Sequence, residues 1–385
     1  MKALRNYLDK IKPNFEEGGK FPKLKSTFGA FESFLFVPDK VTVKGAHIRD
    51  NMDMKRNMTA VIVALIPALL FGIWNTGFFH FKSVGIESGL WENFWFGFCK
   101  VFPIIVVSYV SGLFLEFLFA QIRKEEVNEG FLVTGLLIPM IVPVDCPLWM
   151  VAVATMFAVL FGKEVFGGTG MNVVNPALLA RAFLFFAYPA KMSGDQVFIA
   201  AVENGEKLVD GFSGATPLAT LASNVAPSYS ISDMFFGFIP GCVGETSTLC
   251  ILIGAAILIY TGVASWKIML SGVIGVLAMG LIYNAAAGEG DLFLAIPAYE
   301  HLILGGFAFG MVFMATDPVT AAQTETGKWI YGLLIGVMVM LVRVLNPAYP
   351  EGMMMAILFG NISAPLIDHF VIQANIKRRL KRAVK

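Results

Sequence analysis

The sequence predicts an all-α polytopic membrane protein with about ten transmembrane helices. Of its 385 residues, 56% are hydrophobic and 15% are charged, whereas soluble domains carry about a quarter charged residues. A helix needs roughly 20 apolar residues to cross the hydrocarbon core, and about ten segments approach that length. The basic residues are concentrated at the two ends of the chain, and the net charge of +1 gives no reason to expect a nucleic-acid partner.

The spans and their orientation follow from hydropathy and from the distribution of Lys and Arg. The predicted spans lie near residues 58–76, 94–120, 130–144, 147–165, 176–190, 235–263, 266–286, 300–316, 329–345 and 353–371. Twelve basic residues precede the first span and six follow the last one. Because basic residues accumulate on the cytoplasmic side, both termini are predicted to lie in the cytoplasm of a bacterium, with the chain in the inner membrane.

The polar segment 190–232 divides the spans into five and five, and it is predicted to be an outer, periplasmic loop. In each half a Trp-led apolar span runs into Asn-Pro-Ala, at Asn175 and at Asn346. Because each half has an odd number of spans, the two would form inverted repeats. The predicted units are a cytoplasmic extension 1–57, a first repeat 58–189, the outer loop 190–232, a second repeat 233–371 and a basic cytoplasmic tail 372–385.

The ends and the cysteines exclude some classes of site. The N-terminus is polar and Lys-rich and has no short apolar core with a cleavage site, so no secretory signal peptide is predicted. The four cysteines form no C-x-x-C pair. Neither a zinc site nor a self-contained iron–sulfur site is indicated, and no metal ligands are assigned.

The outer loop contains the run Asp-Gly-Phe-Ser-Gly-Ala-Thr-Pro at residues 210–217. Small side chains leave the hydroxyl of Thr216 accessible, although such a composition by itself is typical of an ordinary turn. The run resembles the flavinylation motif Asp-Gly-x-Ser-Gly-Ala-Thr, in which a dedicated FMN transferase esterifies the phosphate of FMN to the Thr hydroxyl. A phosphoester tether leaves the flavin ring free for redox chemistry.

Nearly the whole chain resembles the NqrB/RnfD family, the membrane subunits of the Na+-translocating NADH:quinone oxidoreductase and of the Rnf complex. Three stretches favour the NqrB branch: Phe-Glu-Ser-Phe at 31–34 with Gly-Ala-His-Ile-Arg-Asp at 45–50, the Gly-rich loop 162–170 with its Asn-x-x-Asn-Pro sequel, and Ala-Thr-Asp-Pro at 315–318. Members of the Rnf branch usually lack so long an N-terminal extension.

The resemblance implies an enzyme subunit, of the NADH:ubiquinone reductase (Na+-transporting) type, in a translocase with further subunits of the A, C, D, E and F types. Its cofactors would be covalent FMN at the outer face and riboflavin nearer the cytoplasm, and quinone and Na+ would be its substrates. NADH would be oxidised on another subunit, because this chain has no Rossmann glycine fingerprint. Alternatives are the RnfD-type subunit of an Rnf complex and a flavin-free secondary transporter in which Thr216 is only a loop residue.

Asn172 and Asn175 are assigned to the riboflavin pocket by the resemblance. Amides both donate and accept hydrogen bonds, which suits the edge of a flavin ring. Gly167, Gly168 and Gly170 permit close backbone approach. The alternative for Asn175 is an ordinary N-cap before a proline at the first helical position. Met171 departs from the family, in which this position is more often basic.

Glu116, Asp317 and Asp368 are the candidate acids of a Na+ path. Carboxylates within spans cost free energy and are therefore functional candidates, and hard oxygen ligands suit Na+. The resemblance links these three positions to sodium uptake, although Asp317 and Asp368 also fit plain charges at the membrane interface. The resemblance places Gly112 in the quinone region, where a simple small-residue packing contact is the alternative. No catalytic residue is assigned.

Overall fold

The computed structural model describes residues 2–383 except 16–17, 26, 30–31, 33–35, 37–44, 46–53, 124–129, 195–196, 201–208, 210–211, 227, 289–290 and 347–350. All regular elements of these described residues are helical, as the sequence predicts. Of the family-like stretch near the N-terminus, residues 31, 33–34 and 46–50 lie outside the described residues, as do Asp210 and Gly211 of the outer-loop motif.

The α-helices run in chain order as follows. They are α1 Lys2–Ile11, α2 Met54–Val84, α3 Leu90–Arg123, α4 Phe131–Ile141, α5 Leu148–Gly162, α6 Pro176–Ala187, α7 Pro189–Met192, α8 Pro217–Ala222, α9 Ile231–Phe236, α10 Thr248–Tyr260, α11 Trp266–Ala286, α12 Leu292–Ala295, α13 Phe307–Phe309, α14 Glu325–Leu345 and α15 Met353–Ala383. Short 3-10 turns lie at Lys12–Asn14, Pro22–Leu24, Glu164–Phe166 and Glu300–Leu302, and a π-helical turn follows α13 at Gly310–Met314.

Six helices of the described chain are long and apolar enough to cross a membrane, which makes this a multi-pass membrane protein. They are α2, α3, α5 with its following turn, α11, α14 and α15, and each coincides with a predicted span. The predicted spans 130–144, 176–190 and 235–263 correspond to the shorter apolar helices α4, α6 and α10. The predicted span 300–316 is interrupted, since a 3-10 turn, α13 and the π-helical turn divide it.

The interruption of the span 300–316 has a visible cause. Gly305 has a φ of +60°, in the left-handed region that an L side chain rarely adopts. Gly305 lies between the end of the 3-10 turn at Leu302 and the start of α13 at Phe307, so the two do not join into one helix. Hydropathy does not register this break, because it counts residue types and not their backbone conformation.

The helices of both halves share one core. Buried residues from α2, α4, α5, α6, α10, α11, α14 and α15 belong to a single apolar cluster. Helices α11 and α14 cross closely, since a Cβ on Gly336 would lie 3.0 Å from the Cα of Gly275. Small residues at such a crossing let two backbones approach, as is usual between membrane helices.

A second apolar cluster packs the segment around α8 and α9 against residues 293–304. Its buried members are Leu218, Leu221, Met234, Ile239, Phe293, Ile296 and Leu304. Helix α9 within this region starts with a capping box, in which Ser230 and Asp233 exchange side-chain and backbone hydrogen bonds, both of 3.2 Å. The segment around α8 and α9 is thus an ordered part of the protein.

Candidate flavin cavity and charged sites

A cavity of about 360 Å³ opens between the start of α2, the start of α4, the loop after α5, the end of α10 and the segment after α13. That volume is within the range of small-molecule pockets. Its polar lining includes Thr134, Lys163, Asn172, Asn175, Thr261 and Asp317. Three residues predicted from the sequence for two different roles therefore meet in one wall, namely Asn172, Asn175 and Asp317.

Asn175 is the N-cap of α6 and also lines the cavity. Its Oδ1 accepts hydrogen bonds from the backbone N–H groups of Ala177, at 3.0 Å, and Leu178, at 3.3 Å, so it is the N-cap of α6. Its Nδ2 donates to Oδ2 of Asp317 at 3.4 Å. The side chain is 4% exposed and fixed on both sides. The cap orients the amide at the cavity wall.

Asn172 has an acceptor that is not used within the protein. Its Oδ1 is buried and has no hydrogen-bond partner among the described residues. Buried polar atoms are nearly always hydrogen-bonded, and an orphaned one calls for a partner. An N–H group of a ligand in the cavity would supply that partner, and a flavin ring carries one.

The loop before Asn172 is shaped by glycine. Gly167, Gly168 and Gly170 have φ values of +124°, +96° and +90°. These conformations suit glycine and would strain other residues. The turn brings Thr169 and Gly170 into the cavity lining. The residues present therefore fit a flat, hydrogen-bonding ligand such as riboflavin.

Asp317 is a half-buried carboxylate held by its own neighbours. It accepts hydrogen bonds from the backbone N–H of Val319 at 3.0 Å and from the hydroxyl of Thr320 at 3.1 Å, besides the bond from Asn175. It lies after the π-helical turn and lines the cavity. Its carboxylate is thus hydrogen-bonded to Asn175, a second residue of the cavity lining.

Glu116 forms a buried ion pair with Lys163. The side chains are 4% and 5% exposed, and Nζ of Lys163 donates to Oε1 of Glu116. The sequence indicates no partner for Lys163. Its partner is 47 positions away on α3, so no local pattern indicates the contact.

Asp368 has a different environment from the other two acids of the predicted Na+ path. It accepts hydrogen bonds from the backbone N–H groups of Gln323, at 2.7 Å, and Thr324, at 3.0 Å, at the start of α14. It is not among the described residues that line the cavity. The carboxylate of Asp368 joins α15 to the N-terminus of α14, where a negative charge is favourable.

Gly112 lies against the ring of Phe131. A Cβ at this position would overlap the ring, so the glycine is needed for the approach of α3 to α4. The packing contact considered for Gly112 is therefore observed.

Thr216 is the N-cap of α8. Its Oγ1 accepts a hydrogen bond from the backbone N–H of Ala219 at 3.2 Å, and the residue is half-buried. Leu218 and Leu221 anchor α8 in the second apolar cluster. The anchored helix fixes the position of the hydroxyl, while the preceding Ser213 is exposed.

Arg181, for which the sequence names no partner, binds two acids. It forms ion pairs with Glu245 and Glu351, and the three side chains are 6%, 8% and 19% exposed. A second buried arginine, Arg343, is 1% exposed and donates to the backbone carbonyls of His301, Leu304 and Glu351 at 2.7, 2.7 and 3.1 Å. No sequence pattern singles out Arg343.

Comparison with known proteins shows similarity to one protein family over nearly the whole chain. A model of the protein family described as NQR2, RnfD, RnfE matches residues 41–377. A relative from Stutzerimonas stutzeri, named as the B subunit of Na(+)-translocating NADH-quinone reductase, is 49% identical over 410 residues, with 99% of this chain and 100% of the relative covered. Relatives with the same name from Ectopseudomonas mendocina (49% identical, 99% and 100% covered) and Chromohalobacter salexigens (48%, 99% and 97%) are similar.

Proposed function

We propose a function from one premise: the chain belongs to the NQR2, RnfD, RnfE family. It is the flavin-carrying membrane subunit of a Na+-pumping NADH:quinone oxidoreductase. Electrons pass from covalent FMN by way of riboflavin to quinone, coupled to Na+ export. The observation that carries this proposal is the end-to-end similarity to proteins named as the B subunit of that enzyme, which covers 99% of this chain.

The flavins would supply the redox chemistry, and this chain would hold them. The hydroxyl of Thr216 would tether FMN through its phosphate, after action of an FMN transferase. Asn172 would hydrogen-bond riboflavin in the cavity, with Asn175 beside it. Support for riboflavin comes from the orphaned Oδ1 of Asn172 and from the cavity volume of about 360 Å³.

The substrates would meet residues of the cavity and of the neighbouring helices. Quinone would bind in the region of Gly112 and its ring neighbour Phe131. Na+ would move along Glu116, Asp317 and Asp368, and the hydrogen bond between Asp317 and Asn175 links this path to the flavin cavity. The other subunits of the complex would supply the NADH site.

The proposed architecture has ten crossings in two inverted repeats, both termini in the cytoplasm and Thr216 in the periplasm. One feature supports the repeat. The third predicted span of each half is shortened or interrupted, as α4 in one half and α13 with its π-helical turn in the other.

The activity of the purified complex tests the function. We expect NADH to reduce quinone in the presence of this subunit, with a rate that rises with added NaCl but not with KCl. Reduction by ferredoxin and not by NADH would assign the chain to an Rnf complex. A purified protein that lacks flavin and exchanges ions without redox chemistry would support the transporter alternative.

Substitution of Asn172 by alanine is expected to weaken riboflavin binding about 2- to 13-fold, because one hydrogen bond contributes about 0.5–1.5 kcal/mol. Covalent FMN should be unaffected. Flavin extracted with acid and separated by chromatography measures the riboflavin content against the amount of protein. Val173→Ala, in an exposed neighbour on the same loop, is the control and should keep its riboflavin. Equal riboflavin binding in N172A and wild type would show that Asn172 does not contribute to riboflavin binding.

A further inference from the structure

The buried pair of Glu116 and Lys163 raises a question about the Na+ path. Glu116 lies within the long span α3, and Lys163 directly follows α5. Their side chains are 4% and 5% exposed. The ion pair of a carboxylate and an ammonium group has no net charge. A second cation is therefore attracted only weakly to this carboxylate.

A second ion pair lies beside it, with the acid on the loop and the base on α3. Glu164, next to Lys163, accepts a hydrogen bond from Nη1 of Arg123 on α3 at 2.9 Å. Two consecutive residues of the loop thus bind two residues of α3 that are seven positions apart, and the charges are reversed in the second pair. The loop therefore makes two separate ion pairs with α3, and it is Lys163, not Glu164, that binds Glu116.

Lys163 is also part of the flavin cavity, whose lining includes it together with Asn172 and Asp317. One residue therefore contacts both the cavity and the buried acid of the ion path. An ammonium group and Na+ are both cations that a carboxylate binds, and the direct contact of Lys163 with Glu116 within one chain gives the tethered ammonium a high effective concentration.

We propose that Lys163 is a tethered cation that competes with Na+ for Glu116. Sodium binds this carboxylate only when the ammonium group of Lys163 has moved away. The inference rests on the proposed function, which places Glu116 on the Na+ path, and it adds the residue that controls access to that acid. Lys163 acts through Glu116 and is a positioning residue.

Substitution Lys163→Met tests the competition in the purified complex. Equilibrium binding of radioactive sodium is measured at constant ionic strength, with choline as the balancing cation. Because the apparent affinity is reduced by the fraction of time that the acid is occupied by lysine, we expect sodium to bind at least about tenfold more tightly in K163M. A lysine with a purely structural role would give unchanged or weaker binding after its removal.

Two further variants locate the effect. The double variant K163M/E116Q should lose the gain, because the acid is no longer charged. The matched control Arg123→Gln breaks the neighbouring ion pair of the same loop and should bind sodium as the wild type does. Unchanged sodium affinity in K163M, or an equal gain in R123Q, would overturn the proposal.

Assembly provides a second readout where K163M alone folds poorly. Loss of one partner leaves a buried charge uncompensated, whereas removal of both charges is often tolerated. Recovery of the assembled complex in K163M/E116Q would support the pairing, and continued failure of the double variant would overturn the proposal. Flavin on Thr216 is measured in the same samples. Its absence would contradict the proposed function, whereas an unchanged sodium affinity with flavin present would contradict only the competition.

Discussion

Thr216→Ala is expected to abolish the covalent flavin that we propose for this subunit. The ester needs a hydroxyl at this position, and the neighbouring hydroxyl of Thr220 is engaged elsewhere, since it donates to the carbonyl of Pro217 at 2.9 Å. The wild-type protein, denatured and run on an SDS gel, should fluoresce under ultraviolet light at the mass of this chain. The band of T216A should remain dark.

Two variants distinguish loss of the hydroxyl from loss of the helix cap. Thr216 is the N-cap of α8, and loss of a cap costs about 1 kcal/mol. Thr216→Asn keeps a capping side chain but has no hydroxyl, so it should also be dark. Thr220→Ala changes a hydroxyl of the same short helix and should stay fluorescent. A fluorescent T216A band would mean that another residue carries the flavin.

Arg181→Met is expected to have the largest effect on stability. It removes the shared partner of Glu245 and Glu351 and leaves two carboxylates close together, one of them in a side chain that is only 8% exposed. Removal of one partner from a buried ion pair costs about 3–5 kcal/mol. That is a large part of the stability of a typical domain, about 5–15 kcal/mol. The yield of assembled complex and its melting temperature should both fall strongly.

The cause of this loss can be checked by removing the remaining charges. Arg181→Met combined with Glu245→Gln and Glu351→Gln leaves no uncompensated carboxylate and should recover much of the yield. Lys267→Met breaks an exposed pair with Glu325, whose side chain is 65% exposed, and should change little. Wild-type yield and melting temperature in R181M would show that the two carboxylates do not need this arginine.

The sequence predicted the helical class and the six long spans because long apolar stretches have few alternatives in a membrane. The remaining predicted spans are shorter or interrupted helices in the structure. The span near 130–144 ends as a helix at Ile141, just before Val142 and Pro143, and the span near 300–316 is broken after Gly305. An average of hydropathy over each segment does not register either break, because it counts residue types and not backbone conformation.

In the candidate site, local features were predictable from the sequence and contacts between distant residues were not. The N-cap at Asn175 follows from its place before Pro176 and is confirmed. The contact between Asn175 and Asp317 joins residues 142 positions apart, and no local pattern encodes it. Arg343 lies in the last turn of α14, where a basic residue is ordinary at a helix C-terminus. Its three buried carbonyl contacts depend on packing alone.

The central claim concerns one covalent bond, between the oxygen of Thr216 and the phosphate of FMN. Mass spectrometry of a peptide that contains Thr216, prepared from the natively assembled complex, tests it directly. We predict a peptide heavier by the mass of FMN less one water, with fragment ions that place the addition on Thr216. A peptide from the same material that carries no modification would contradict the account.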